Sequence, residues 1–235
     1  HRRAVPYALP VPREGFQHEL DEIEALLQDE ARLCQTALGR VIHALGARDL
    51  DAAQVVVVGD HDVDRVYQRV DADIESLLAR QAPVATDLRL SLAMIRVNMH
   101  LERIGDQCVN IAKLTRLIGD HPLPADLLAE FARMGAAAGD MIGESMSSFG
   151  ARDVARAEAL VAADQVINRA NHGVARRILQ LAEHTTAHEA GLHAILISRC
   201  LERIGDNAVD IGEQTAYLVT GEFREFTDAS PEAAL

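Results

Sequence analysis

Apolar residues recur at intervals of three and four along most of the chain, which is the period of one face of an α-helix. The pattern predicts helices over residues 15–46, 50–79 and 87–118 in the first half of the sequence. Thr86 or Asp87 is placed to cap the third of them. The valine-rich run 55–58 is also compatible with a buried strand, but the helical pattern on both sides of it favours a helix.

Turn-forming residues separate these predicted helices. Gly46 is placed for the left-handed residue that ends the first helix. Asp49 is placed to cap the second helix. After the third helix, Gly119, Pro122 and Pro124 form the one clear linker of the chain.

Beyond the linker the same plan starts again. A fourth amphipathic helix is predicted over residues 127–149, and the Gly-Ala-Arg-Asp segment at 150–153 repeats residues 46–49 at an offset of 104. The segment Leu-Glu-Arg-Ile-Gly-Asp at 101–106 returns unchanged at 201–206. Repetition over this distance indicates that a whole three-helix unit has been duplicated.

The predicted fold is therefore all-α, with two tandem antiparallel three-helix bundles built from six long helices. The first repeat is expected over residues 13–119 and the second over residues 124–220, with tails at 1–12 and 221–235. We expect the sixth helix to end near Val219 with Gly221 after it, and the tail to be loose beyond Phe226.

The duplicated segment carries a row of acidic and amide side chains. Residues four apart lie on one face of a helix, and like charges at that spacing repel by about 0.2–0.5 kcal/mol. A chain that accepts this cost twice at the same place is expected to bring a cation to the row. The two rows are Glu102, Asp106 and Asn110 in the first repeat, and Glu202, Asp206 and Asp210 in the second.

A second polar row lies on the preceding helix of each repeat. It comprises Asp60 and Asp64 in the first repeat, and Asp164 and Asn168 in the second, where His172 follows at the same spacing. Neighbouring helices of an up-down bundle are antiparallel, so the two rows of a repeat can face each other. Carboxylate and carboxamide oxygens suit hard or borderline cations such as Mg²⁺, Ca²⁺, Mn²⁺ or iron. The length of the rows favours a cluster of ions in each groove.

Two simpler interpretations remain open at this point. An acidic row beside basic residues is often a solvated face, and Arg199 can pair with Glu202. Gly105 and Gly205 precede the acid in mid-helix, where each costs about 0.5–1 kcal/mol relative to alanine. That cost indicates a close approach, either of a ligand or of another helix.

Composition removes several classes of function. The net charge of −13 provides no basic footprint for nucleic acid. Three widely spaced cysteines predict neither a disulfide framework nor a thiolate zinc site, and no apolar run approaches the length of a membrane span, so a cytosolic protein is expected. Neither a glycine-rich phosphate loop nor a nucleophile elbow is visible, so the chain is not expected to be an enzyme.

The motifs themselves resemble those of the PhoU family, the phosphate-specific transport system accessory proteins. The similarity lies in residues 101–106 with Val-Asn-Ile-Ala at 109–112, in the degenerate second copy, in residues 81–89, and in the Asp-x-x-x-Asp of the second helix. It covers about residues 13–220. The resemblance implies a regulator that represses phosphate uptake and the phosphate-starvation response in the cytosol. It implies contacts with a sensor histidine kinase and with the ATPase of the phosphate ABC transporter, so that the membrane is reached only through partners.

The resemblance also implies multinuclear iron or zinc clusters held by Glu/Asp-x-x-x-Asp motifs. These correspond to Glu102 with Asp106, to Glu202 with Asp206 and, less closely, to Asp60 with Asp64. The chain departs from the family pattern at Asn168, Gln107 and Asn207, so the second site is expected to hold metal more weakly or to hold fewer ions.

Two other functions stay open on the sequence. One is an iron-storage or redox bundle, although the Glu-x-x-His pairs of di-iron bundles are missing from the repeated motif. The other is an accessory of a different phosphate transporter. A homodimer is also expected, since the small residues at 135–138 could pair two chains, although core packing explains them equally well.

Overall fold

The computed structural model describes residues 13–81, 83–119, 121–182 and 188–226. These residues confirm the all-α fold of two tandem antiparallel three-helix bundles, and the valine run 55–58 lies inside a helix. None of the helices in these ranges is long and apolar enough to cross a bilayer. The six helices are α1 (Arg13–Ala47), α2 (Leu50–Gln81), α3 (Ala85–Ile118), α4 (Ala125–Ala151), α5 (Val154–Ala182) and α6 (His188–Thr220).

The two bundles share one continuous hydrophobic core. Helix α3 packs against α6 and α1 packs against α4, so these four helices form the junction between the repeats. Within the described ranges α2 contacts only α1 and α3, and α5 contacts only α4 and α6. The outer helices α2 and α5 therefore lie on opposite sides of the molecule.

The corner between α1 and α2 confirms one predicted cap and corrects one predicted helix end. The Asp49 carboxylate accepts the backbone N–H of Ala52 at 2.8 Å, as an N-cap does. Helix α1 does not end at Gly46, however. It continues to Ala47, and Arg48 takes the left-handed conformation with φ 54°.

Hydrogen bonding explains why the left-handed residue is Arg48. The N–H groups of Arg48 and Asp49 turn back onto the carbonyl groups of Leu45 and Ala44, which is the Schellman arrangement. The second repeat closes in the same way, with Arg152 at φ 58°. These hydrogen bonds place the left-handed residue two positions after the glycine, although glycine adopts that conformation more easily.

The ends of α3 and α6 differ in how well the sequence predicted them. Helix α3 begins at Ala85 after Val84, which makes no side-chain cap, so the predicted caps Thr86 and Asp87 lie inside the first turn. Helix α6 ends at Thr220, and Gly221 follows with φ 81° and an N–H bond to Tyr217, as predicted. The segment predicted to be loose, beyond Phe226, lies outside the described residues.

Part of the run of small residues at 135–138 packs within the chain, although Ala136 is exposed. Gly135 and Ala138 are buried, and a Cβ atom at Gly135 would lie 2.6 Å from the Ile42 side chain of α1. This run therefore forms part of the junction between the repeats.

Candidate metal centre

Asp60 stands in the buried stripe of α2. The stripe contains Val56, Val63 and Val70, and Asp60 lies one turn after Val56 at the position where another apolar residue would continue it. Asp164 occupies the matching position of α5 and is 5% exposed. The helical period therefore directs both carboxylates towards the neighbouring helix of their repeat.

Gly105 and Gly205 allow the two helices of each repeat to approach closely. A Cβ atom at Gly105 would lie 3.2 Å from Cγ1 of Val63. At Gly205 it would lie 2.6 Å from Oδ1 of Asp164. Helix–helix contact thus explains both glycines, and that contact brings the two polar rows of each repeat together.

The first repeat gathers the four predicted carboxylates into one groove, which we call the first groove: Asp60 and Asp64 on α2, and Glu102 and Asp106 on α3. Burial raises the pKa of Asp60, and the charges of Asp64 and Asp106 raise it further. Burial also raises the pKa of Glu102, followed by the charges of Asp106, Asp64 and Asp60. His61 and Lys113 partly offset the charge around Asp60. The four side chains therefore repel one another across the two helices.

The row on α3 runs from the interior to the surface. Residues four apart in a helix are separated by about 40° around its axis, so the row winds across the buried face. Asn98, one turn before Glu102, is 1% exposed. Asn110, at the other end, is exposed. The first groove thus has a buried inner end and a solvent-facing outer end.

In the second repeat some of the predicted metal ligands already interact with other side chains of the protein. The Asp164 carboxylate accepts the Asn168 amide at 2.7 Å. Glu202 forms an ion pair with Arg199, which is the simpler interpretation that the sequence left open. His172 is exposed on α5. The two grooves therefore differ in their contacts within the protein, and the unequal metal binding that the sequence predicted stays a prediction.

Three aspartates of the second repeat line a cavity of about 570 Å³. They are Asp164, Asp206 and Asp210. Burial raises the pKa of Asp210, while His100 of α3, 3.4 Å away, lowers it. The cavity lies beside the segment after α6, where the Phe226 N–H donates to Glu213 at 2.7 Å.

The sequence prediction missed one acidic residue next to the first groove. Glu30 of α1 is 0% exposed, and neither of its carboxyl oxygens has a hydrogen-bond partner within the described ranges. Burial, followed by the charge of Glu102, raises its pKa to about 9. A signal was available, because Glu30 lies in the apolar stripe between Leu27 and Cys34, where a charged residue is out of place.

The ligands that the first groove offers suit a hard cation. Its four side chains are carboxylates, which hard cations prefer as ligands, and the Glu102 charge acts on the buried, unpartnered carboxyl of Glu30. Over the described part of the chain, however, no three His, Cys, Asp or Glu side chains already converge on one point. A cation would therefore have to draw these side chains together, and metal binding stays a prediction. All three cysteines are free and buried.

Together, the fold and the grooves define a duplicated three-helix-bundle protein with a carboxylate groove in its first repeat and a partly neutralised one in its second. The PhoU domain model matches residues 27–115 and 131–215, one segment in each repeat. The chain therefore belongs to the PhoU family.

Relatives of this chain match it over nearly its whole length. A phosphate-specific transport system accessory protein PhoU homolog from Burkholderia sp is 29% identical, over 88% of this chain and 89% of the relative. The crystal structure of PhoU from Pseudomonas aeruginosa superposes with a TM-score of 0.83 at 27% identity, over 88% of this chain and 100% of that chain. The phosphate transport system regulatory protein PhoU from Streptococcus pneumoniae shares the fold, with a TM-score of 0.83 at 24% identity, over 89% and 99% of the two chains.

Proposed function

We propose that this chain is a cytoplasmic regulatory adaptor of a phosphate transport system. It restrains phosphate uptake and phosphate-starvation signalling by contacting a sensor histidine kinase and the transporter ATPase. The observation that carries the proposal is the match of both repeats to the PhoU domain, together with near full-length relatives named as phosphate transport accessory proteins.

We further propose that the first groove binds divalent or trivalent metal ions. The mutual repulsion of its four carboxylates supports this, because a cation would remove that repulsion. Bound metal would also change the charge of the surface formed by α2 and α3. In this proposal the protein is not an enzyme, and bound metal changes how its α2–α3 surface docks onto partners.

An exposed apolar pair supports docking next to this groove. Val55 and Val58 of α2 are 57% and 58% exposed, and Val55 shares a small cavity with Asp60. Apolar side chains surrounded by a polar rim are the arrangement that protein–protein contact surfaces use.

The proposal is tested in a host strain that lacks its own PhoU-family protein. Wild-type protein is expected to lower phosphate uptake and starvation-gene expression in phosphate-rich medium, and tagged protein to retain the transporter ATPase and the sensor kinase. Val55→Asp/Val58→Asp should lose both effects, whereas Leu179→Asp, an exposed leucine on the opposite outer helix α5, should keep them. Failure of the wild type to restore repression and to retain either partner would refute the adaptor.

Metal binding is tested separately by elemental analysis of the purified protein. Glu102→Ala/Asp106→Ala is expected to lose more metal than Glu202→Ala/Asp206→Ala, because Glu202 is already paired with Arg199. Equal losses would contradict the inequality of the two grooves.

A further inference from the structure

Glu30 is placed where the other repeat has an apolar residue. The offset of 104 that relates the two corners carries Glu30 onto Met134, which is buried at 2% exposure. A methionine fills this core position and needs no hydrogen-bond partner there. Glu30 instead buries a carboxyl group, which is costly unless something compensates for it. We therefore ask which group of the first repeat, or which ligand, compensates for this buried carboxyl.

The register of α1 against α3 places Glu30 at the inner end of the first groove. The two helices are parallel, because each is antiparallel to α2 in the bundle. The Cys34 thiol donates to the Leu101 carbonyl at 3.3 Å. Glu30 is one turn before Cys34, so it falls at the level of Asn98, one turn before Glu102. The influence of the Glu102 charge on Glu30 agrees with this placement.

A second orphan oxygen lies at the same level. The Asn98 amide nitrogen donates to the Tyr67 carbonyl at 3.0 Å, which fixes the orientation of its side chain. Its Oδ1 atom is buried and has no hydrogen-bond partner among the residues that the structure describes. The inner end therefore holds three oxygens without a hydrogen-bond partner, two from Glu30 and one from Asn98. When Glu30 is ionised all three are acceptors, and such a set is satisfied by a cation or by donors that these helices do not provide.

We propose that Glu30, with Asn98, forms an inner extension of the first groove, so that a hard divalent cation is bound by three helices instead of two. This inference rests on the metal-binding part of the proposed function and adds α1 to it. Carboxylate and amide oxygens are ligands for ions such as Mn²⁺. Bound metal would then tie α1 to α2 and α3.

The proposal is tested with Mn²⁺ as the probe, in the Glu202→Ala/Asp206→Ala background, which removes two carboxylates of the second groove. Mn²⁺ binding is measured by equilibrium dialysis and elemental analysis. Glu30→Met, which installs the residue of the second repeat, is expected to weaken binding by about tenfold or more, as the loss of groups that support a metal site does. Glu30→Gln keeps the shape and should weaken binding in the same direction. Met134→Ala disturbs the matching core position of the second repeat and should leave Mn²⁺ binding unchanged.

A melting experiment provides a second readout. In chelator Glu30→Met should melt at a higher temperature than its parent, because a buried carboxyl without partners is removed. In Mn²⁺ the parent should gain more thermal stability than the variant. Equal Mn²⁺ affinity and equal Mn²⁺-induced shifts in parent and Glu30→Met would overturn the proposal.

One further variant separates this inference from the proposed function. If Glu102→Ala/Asp106→Ala abolishes Mn²⁺ binding and Glu30→Met does not, the groove stands and the role of Glu30 is wrong. If the parent protein binds no Mn²⁺, both are wrong.

Discussion

Replacing Glu30 by methionine should raise the stability of the metal-free protein and flatten its pH dependence. The pKa of Glu30 is about 9 in the folded protein against an ordinary value of 4.5, because burial and then Glu102 disfavour its charge. Between these values the folded state holds a proton that the unfolded state has released. The free energy of unfolding therefore falls as pH rises, by about 1.4 kcal/mol per pH unit for this one group.

The magnitude at neutral pH follows directly. From pH 4.5 to pH 7 is 2.5 units, which corresponds to about 3 kcal/mol of lost stability. A fully buried side chain is little screened by solvent, so most of this penalty should be measurable. Glu30→Met removes it.

The assay is urea unfolding in chelator at pH 5, 6, 7 and 8. The difference in free energy of unfolding between Glu30→Met and wild type should grow with pH over this range. Glu75→Met, which replaces an exposed glutamate of α2, is the control and should track the wild type at every pH. Parallel curves for Glu30→Met and wild type would refute the reasoning, since they would mean that Glu30 is not protonated in the folded state.

Four further substitutions test the helix contacts, the corner and the groove. Gly205→Ala should lose about 1 kcal/mol, because the new Cβ would meet Asp164 at 2.6 Å and this outweighs the helix propensity of alanine. Gly173→Ala, in open space on α5, should gain about 0.5–1 kcal/mol. Asp49→Ala should lose about 1 kcal/mol with its N-cap bond. Asp106→Asn should gain about 0.2–0.5 kcal/mol in chelator by relieving repulsion, and lose Mn²⁺ affinity.

Urea unfolding at pH 7 in chelator measures the four changes in the free energy of unfolding, and equilibrium dialysis measures the change in Mn²⁺ affinity. A stabilised Gly205→Ala would mean that α5 and α6 are not in close contact there. An unchanged Asp49→Ala would mean that water replaces the cap. A destabilised Asp106→Asn in chelator would show that the groove carboxylates are not in mutual repulsion.

The fold was predictable because two independent signals agree. The helical period defined the elements, and the repeat of residues 101–106 at 201–206 defined two units of the same topology. Helix ends were less predictable, since they depend on which carbonyl groups the turn must reach. Arg48 therefore takes the left-handed turn two residues after the glycine that the sequence favoured.

Part of the candidate site was also predictable. Asp60, Asp64, Glu102 and Asp106 interact across α2 and α3. The i, i+4 spacing placed each row on one face of its helix, and the antiparallel order of neighbouring helices allowed the two rows to face each other. Glu30 was missed because a search for an apolar stripe passes over a charged residue inside it. The Glu202–Arg199 pair could not be decided from spacing alone, since both the ion pair and the metal row use the same face of α6.

The packing of α3 on α6 and of α1 on α4 has a consequence for the origin of the chain. Exchanging the first repeat for the second maps this set of contacts onto itself, which is the symmetry of a two-fold dimer. An ancestor with one repeat would have had to pair with a copy of itself to cover α1 and α3. Fusion of two such copies would make that pairing independent of protein concentration and would free the two halves to diverge. Glu30 in one repeat and Met134 in the other are a substitution that a symmetric ancestor could not have had.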